Sequence, residues 1–213
     1  MSKIQPSELL EGWVNWIFPQ PWGSDLPNDT TGAETEKLNS GRDIWYLSGT
    51  WGNAGATPFP IKRKIHVKEG TPIFIVLASS HATLEELGNP DATDELLISH
   101  AKAVHKLWVK AELRIDGKSE ATQRVETSVL TPYISDGSYY SKLAKSGSVK
   151  MATVAEVFLL DSALLGKEVP EHTIELDAHS RAGNQGQGEP NEEEYVEDVT
   201  YTIIVQKPPS LTP

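Results

Sequence analysis

A serine pair followed by a histidine, Ser79-Ser80-His81, is the pattern in this chain that lies closest to a catalytic group. A serine becomes a nucleophile when a histidine accepts its proton and an acid orients that histidine. Neighbours in sequence cannot usually adopt this geometry, and the sequence has no Gly-x-Ser-x-Gly turn of the kind that exposes a hydrolase nucleophile. We therefore predict no catalytic residue here.

The remaining histidines and acids are scattered without recognisable spacing. His100 and His105 are five residues apart on a predicted helix, about 140° apart around its axis, so they cannot share a metal. We expect both at the surface or in an interface. A hydrolase would need Asp29 and Asp43 as paired carboxylates, or a metal held by acids and by His66, His81 or His172. An enzyme is therefore the third hypothesis, and no metal ligand is predicted.

Two other stretches resemble binding motifs. Gly117-Lys118-Ser119 mimics the end of a phosphate-binding loop, but Glu112 stands where that loop requires a glycine. The Gly- and Gln-rich run 181–190 leads into acidic residues up to 198, which a cation could bind. Because no EF-hand spacing is present, we instead expect 181–197 to be a flexible acidic loop. No cofactor is predicted.

Aromatic residues support the second hypothesis, a module that binds a carbohydrate or another small ligand. Five of the six tryptophans lie in the first 51 residues. Trp13 and Trp16 fall on one stripe of a predicted helix, which favours burial in the core. The aromatic residues left in loops are candidate stacking surfaces, namely Trp22, Trp51, Tyr139 and Tyr140.

Composition excludes two classes of partner. The net charge of −11 argues against nucleic acid, because phosphate contacts need a basic face. No apolar run approaches the length of a membrane span. The chain has no cysteine and its first residues lack an apolar signal region, so we expect a cytoplasmic protein, with a secreted mature chain as the alternative.

Strand patterns dominate the chain. The aromatic run 43–50 is a core strand, 61–67 alternates between apolar and basic residues, and 72–78 is wholly apolar. Asp116-Gly117 predicts a hairpin turn after an alternating strand at 108–115. Further strands are expected at 121–133, 149–160, 172–178 and 199–205. Helices are predicted at 6–18 and 92–106, and a loop at 23–42.

These elements predict one mainly β domain over residues 1–213, a single antiparallel β-sandwich of jelly-roll or immunoglobulin-like type with two short helices. The helical arm 1–20 begins the chain, and the Pro-rich tail 207–213 ends it. We expect a core that contains Trp45, Leu47, Ile73, Ile75, Leu113, Phe158, Ile174 and Ile203.

The order of these motifs resembles a family of uncharacterised, mostly exported bacterial proteins. The shared features are a Trp-rich first helix, an Asp-x-Thr-Gly loop at 29–32 and an aromatic strand that ends Leu-Ser-Gly-Thr at 47–50. Glu171 to Ile174 and Asp198 to Tyr201 match two strands near the C-terminus. Thr35 and Ile65 stand where the family tends to carry cysteines. The resemblance implies a β-sandwich and brings no catalytic residues.

The first hypothesis for function is a non-enzymatic structural or interaction protein, a subunit or adaptor of a larger assembly. A large β-core without legible chemistry favours association with a protein partner or with itself. Sheet edges must be covered, charged or paired. We expect association through edge strands, with 157–160 and 201–205 as the unguarded apolar segments, or through the terminal arms.

Overall fold

The computed structural model describes residues 4–20, 29–49, 60–136, 146–161, 171–180 and 195–206. The protein is mainly β. Its helices are α1 (Pro6–Ile17), α2 (Ala33–Asn39) and α3 (Asp94–His105). Its strands are β1 (Trp45–Ser48), β2 (Ile61–Lys68), β3 (Pro72–Thr83), β4 (Trp108–Ile115), β5 (Lys118–Glu120), β6 (Gln123–Glu126), β7 (Tyr133–Ile134), β8 (Gly147–Ser148), β9 (Met151–Asp161), β10 (Glu171–Ser180) and β11 (Tyr195–Gln206).

The described strands form two main sheets and one small ribbon. The first sheet has the order β1-β3-β9-β6, the second sheet β2-β11-β10-β4-β5, and β7 pairs with β8. Most neighbours are antiparallel, but β1 runs parallel to β3 and β2 parallel to β11. The prediction of antiparallel sheets therefore holds only in part, because both main sheets are mixed.

One buried cluster is shared by the two main sheets. It takes apolar side chains from both sheets, including Leu47, Ile75, Leu113, Ile174 and Tyr201. Seven of the eight predicted core residues are buried. The exception is Phe158, which is only half-buried at the edge of this cluster.

The opposite face of the first sheet is covered by α1. Pro6 starts this helix, and Gln5 and Glu8 form a capping box that satisfies two free backbone N–H groups. Trp13 and Trp16 are 3% and 2% exposed. They pack in a second cluster with side chains of β1, β3, β6 and β9, so the prediction that the tryptophan stripe is core is confirmed.

The third helix packs on the far end of the first sheet. Thr93 caps α3 by accepting a hydrogen bond from the backbone N–H of Leu96. Leu97 and Ala101 are fully buried against β3 and β9. The helix predicted at 92–106 is thus found within two residues of each end.

Several local predictions need correction. The predicted loop 23–42 contains α2. The strand predicted at 72–78 continues beyond Ala78 as β3, which stays paired with β9 as far as Thr83. The expected strand 121–133 shrinks to the four residues of β6. Residues 195–197 of the expected acidic loop belong to β11, and 181–194 lie outside the described residues.

The expected free edge at 201–205 does not exist. This segment belongs to β11, which has β2 on one side and β10 on the other. The segment 157–160 lies on β9, whose pairing with β6 ends at Val157, and Leu159 is 50% exposed. Within the described part of the chain, every helix is too short or too polar to cross a membrane.

Candidate functional site

The four predicted stacking residues, Trp22, Trp51, Tyr139 and Tyr140, lie outside the described residues. A carbohydrate site built on them stays a prediction. The titratable clusters that the sequence suggested can be followed directly in the fold.

Asp29 is a structural anchor. Its carboxylate accepts hydrogen bonds from the backbone N–H groups of Thr31, Gly32 and Thr35 and from both threonine hydroxyls, at 2.8–3.2 Å. Burial raises the pKa of Asp29, but these hydrogen bonds outweigh it and the net pKa is lowered. Asp43 is exposed. The carboxylate of Asp29 is held by its own loop and by the start of α2, and it stabilises that turn. This role is structural, and Asp29 does not form a catalytic pair with Asp43.

Arg63 is a buried cation in the middle of β2, only 1% exposed. Its guanidinium donates to the carbonyl of Asp29 at 2.6 Å and to the carbonyls of Ser48 and Gly49 at 3.0 and 3.2 Å. It also donates to the hydroxyl of Tyr201, which in turn donates to the Ser48 carbonyl. The side chain thereby ties the segments around 29 and 48 to the second sheet.

His81 is buried beneath α1 rather than placed for catalysis. Its ring stacks on Trp13 and meets Phe18 edge-on, with centroids 6.3 and 4.9 Å away. One ring nitrogen lies 2.9 Å from the Thr153 hydroxyl, the other 3.2 Å from the Ser79 hydroxyl. Burial and the nearby charge of His105 lower the pKa of His81 to about 3. This histidine is neutral at pH 7.

Ser80 belongs to a different cluster, where α3 and Trp108 of β4 meet the first sheet. Its hydroxyl accepts a hydrogen bond from the indole N–H of Trp108 at 3.0 Å and lies 3.3 Å from Nδ1 of His105. Nε2 of His105 is 3.5 Å from a carboxylate oxygen of Glu156, an ion-pair distance without an aligned hydrogen bond. Arg124 donates to the same oxygen at 2.8 Å.

This serine, histidine and glutamate stand in the order of a catalytic triad, but their surroundings favour a structural role. Ser80 is 5% exposed and the side chain of His105 1%. Burial lowers the pKa of His105, the charge of Arg124 lowers it further, and Glu156 opposes both. A neutral, enclosed histidine next to a serine that already accepts an indole hydrogen bond has no room for a substrate carbonyl. The prediction that His105 lies at the surface or in an interface is wrong, because its side chain is buried inside the fold.

His172 forms a further pair with Asp116, whose carboxylate lies 2.8 Å from Nδ1. Asp116 also accepts the backbone N–H of Thr173, which fixes the β4–β5 turn to β10. Burial raises the pKa of Asp116, but the bonds to His172 and Thr173 outweigh it and lower the pKa overall. The described residues contain no group of three His, Asp or Glu side chains placed to hold a metal ion.

The surface that remains is the side of the second sheet turned away from the core, which we call the outer face. Along β2 buried and exposed residues alternate strictly, which puts the basic side chains of this strand on the outer face. Residues directly opposite in neighbouring strands share a face. The register therefore extends the outer face across β11, β10 and β4.

Charge on the outer face is balanced but segregated. The five basic and five acidic residues there are Lys62, Lys64, Lys68, Lys110, Arg114, Glu112, Glu171, Glu175, Asp177 and Asp198. Lys110 and Arg114 are paired with acids on β4 and β10. The three lysines of β2 have no ion-pair partner among the described residues. They form a basic row on β2, at one edge of the sheet, and the carboxylates of β10 lie on the far side of β11.

The backbone edge next to this basic row is already occupied. The N–H of Lys64 donates to the carbonyl of Thr31 at 2.8 Å, and the N–H of His66 donates to the carboxylate of Glu36. Another strand cannot pair with β2 there without displacing these groups. The outer face, rather than this edge, is the surface that β2 offers.

No family model, curated protein or solved structure matches this chain.

The sequence indicated the basic side of the outer face, on β2, but not its acidic side. The alternation of Ile61, Ile65 and Val67 with basic residues marks one side of β2 as exposed. That β2 lies parallel to β11 could not be read from periodicity, because the two strands are more than 130 residues apart. For the Ser80 and His105 cluster we find no local signal, since α3, β3 and β9 supply its members.

Proposed function

We propose that this protein is a non-enzymatic interaction protein whose binding surface is the outer face of the second sheet. One observation carries the proposal. The face holds a row of three lysines without ion-pair partners among the described residues, on a strand whose backbone edge is covered. Exposed unpaired charge is available to a partner, and complementary charge across an interface sets both the rate and the specificity of association.

The proposed architecture is one β-sandwich domain, with the two main sheets as its layers and α1 on the side away from the outer face. The buried cluster shared by both sheets supports this arrangement. Such a body holds the outer face rigid, so its charges keep a fixed spacing. A preorganised surface loses less conformational entropy when it binds.

Catalysis has less support from the described residues. Both histidines that approach a serine or threonine hydroxyl are buried: His81 lies against the rings of Trp13 and Phe18, and the side chain of His105 is 1% exposed. Their contacts join α1 and α3 to the first sheet. These groups therefore stabilise the body that carries the outer face.

The test compares two charge reversals of equal size. Lys62→Glu with Lys64→Glu changes the basic row, and Lys102→Glu with Lys106→Glu makes the same change in net charge at exposed positions in the last turn and at the C-cap of α3. Size-exclusion chromatography in the native extract measures whether each tagged protein migrates within an assembly. We expect wild type and the α3 variant to do so and the basic-row variant to migrate alone.

The proposal fails if all three proteins migrate alike. It also fails if a substrate is turned over by the wild type and Ser80→Ala abolishes the turnover while the protein stays folded. Circular dichroism of each variant shows whether a loss of binding comes from the changed charges or from unfolding.

A further inference from the structure

The outer face carries its opposite charges in matched rows. The strand register places Lys62, Thr200 and Glu175 in one row across β2, β11 and β10. Four residues further along β2, His66, Ile204 and Glu171 form another row. In each row the basic or imidazole side chain and the carboxylate stand on opposite sides of β11, about two strand spacings apart.

The row between them is neutral except for one lysine. Lys64, Thr202 and Thr173 lie side by side there. All described outward positions of β11 from 200 to 206 are uncharged, and Thr200, Thr202 and Ile204 are half-buried. From Thr200 to Gln206 the centre of the face is thus a narrow uncharged strip, which ends at Asp198. The lysines of β2 lie on one side of it and the carboxylates of β10 on the other.

This arrangement is complementary to itself. Consider two copies that face one another about a two-fold axis parallel to β11. The axis leaves the position of each row along β11 unchanged and places β2 of one copy opposite β10 of the other. Lys62 of one copy then faces Glu175 of the other. His66, whose Nδ1 also lies 2.7 Å from Glu36 of its own chain, faces Glu171. Lys64 comes between the two carboxylates, within reach of either. Each contact occurs twice, as an isologous interface requires.

The charge balance of the face removes an obstacle to this pairing. Two chains that each carry a net charge of −11 repel one another on approach. The outer face holds as many basic as acidic residues, so the excess negative charge lies elsewhere on the chain. Repulsion is therefore least when the two copies meet through this face.

We infer that the partner of the outer face is a second copy of this chain, bound face to face about a two-fold axis that runs along β11. This inference rests on the proposed function and names its partner. Ion pairs between β2 and β10 set the register of the dimer, and the uncharged strip of β11 forms its centre.

Complementary charge reversals test it. Light scattering after gel filtration measures the mass of four proteins over a range of concentrations: the wild type, Lys62→Glu with Lys64→Glu, Glu171→Lys with Glu175→Lys, and the α3 control Lys102→Glu with Lys106→Glu. Each reversal puts like charges opposite one another at both ends of the dimer. We expect the dimer dissociation constant to rise roughly 100-fold or more for either face variant.

The decisive arm is an equimolar mixture of the two face variants. Each alone is expected to be monomeric, and the mixture is expected to recover a dimer, because lysine again faces glutamate. The wild type and the α3 control should both be dimeric. A dimeric mixture shows that the lysines of β2 face the glutamates of β10 in the other copy. Mixing would not restore association if the variants had merely lost solubility or their fold.

Three results overturn the inference: a wild type that stays monomeric at millimolar concentration, face variants that remain dimeric, or a mixture of the variants that does not associate. A monomeric wild type leaves the proposed function standing, with a different partner. The proposed function fails separately, when the basic-row variant still migrates within the same assembly as the wild type in extract.

Discussion

Both sides of β2 carry positive charge, but the charge on the inner side is buried and hydrogen-bonded, whereas the charge on the outer side is exposed. Arg63 points inward, is 1% exposed, and donates to three carbonyls and a phenol. Lys62 and Lys64, its neighbours in sequence, point outward and have no ion-pair partner among the described residues. Both sides belong to one eight-residue strand.

The difference separates stability from association. A buried cation must have its hydrogen bonds satisfied, and groups left behind when it is removed are costly. Exposed lysines contribute little to the free energy of unfolding, and their charge is available to a partner. We therefore expect substitutions of buried polar groups to change stability but not assembly, and substitutions on the outer face to do the reverse.

The largest stability effect is expected at Arg63. Arg63→Met removes a buried donor from the carbonyls of Asp29, Ser48 and Gly49, so the free energy of unfolding should fall by about 3–5 kcal/mol. The Ser48 carbonyl keeps the hydroxyl of Tyr201 as a donor. Lys64→Met, the matched outward change, should shift it by less than about 0.5 kcal/mol. Urea titration followed by fluorescence measures both. Equal effects would remove the distinction between the two sides of the strand.

The pH dependence of stability extends the comparison to the first sheet. The pKa of His81 is about 3 in the folded protein, against about 6.5 in an unfolded chain. Between these values the unfolded state binds more protons, so the free energy of unfolding falls as pH drops from 6.5 towards 3. This one group contributes a loss on the order of 4 kcal/mol.

A pair of variants isolates that contribution. His81→Gln cannot titrate and should flatten the pH dependence, whatever its effect on stability at neutral pH. Ser79→Ala removes a hydroxyl beside the same ring but keeps the imidazole, so its pH dependence should match that of the wild type. Urea titrations at several pH values between 4 and 7 measure the slopes. A His81→Gln slope as steep as the wild-type slope would place the acid sensitivity elsewhere.

A smaller effect is expected where the loop at 29–32 touches β2. Gly32 has a φ of 96°, and a Cβ there would lie 2.3 Å from the Lys64 carbonyl oxygen. Gly70 has a φ of 83° and no atom within 4 Å of the same position. Gly32→Ala should cost about 3 kcal/mol, and Gly70→Ala about 1 kcal/mol from backbone strain alone. Thermal melts of both variants measure the difference, and similar costs would mean that the loop does not press on β2.

Sequence patterns located most strands because alternation and apolar runs are local. The strand at 108–115 was predicted to the residue, and α1 to within one residue, because Pro6 and the tryptophan stripe mark it. The parallel pairing of β2 with β11 was not predictable, since it joins distant segments. The same holds for α2, which depends on the hydrogen bonds that the buried Asp29 accepts.

The polar clusters likewise depend on contacts between distant segments, which local sequence patterns do not predict. The sequence placed Ser80 beside His81, and the fold instead brings Ser80 to His105 and Trp108, 25 and 28 residues away. The outer face was half visible in the lysines of β2. Its acidic side needed the register of β10, which local patterns do not give.

Cross-linking at the centre of the outer face tests the central claim most directly. The chain has no cysteine, so Thr202→Cys creates a single thiol on the proposed two-fold axis, and Glu95→Cys creates one on the exposed side of α3 as a control. Facing sheets pack about 10 Å apart, within the reach of a short bismaleimide. We predict a covalent dimer for Thr202→Cys and none for Glu95→Cys at equal concentration. Equal yields for the two variants, or no dimer from Thr202→Cys, would contradict the account.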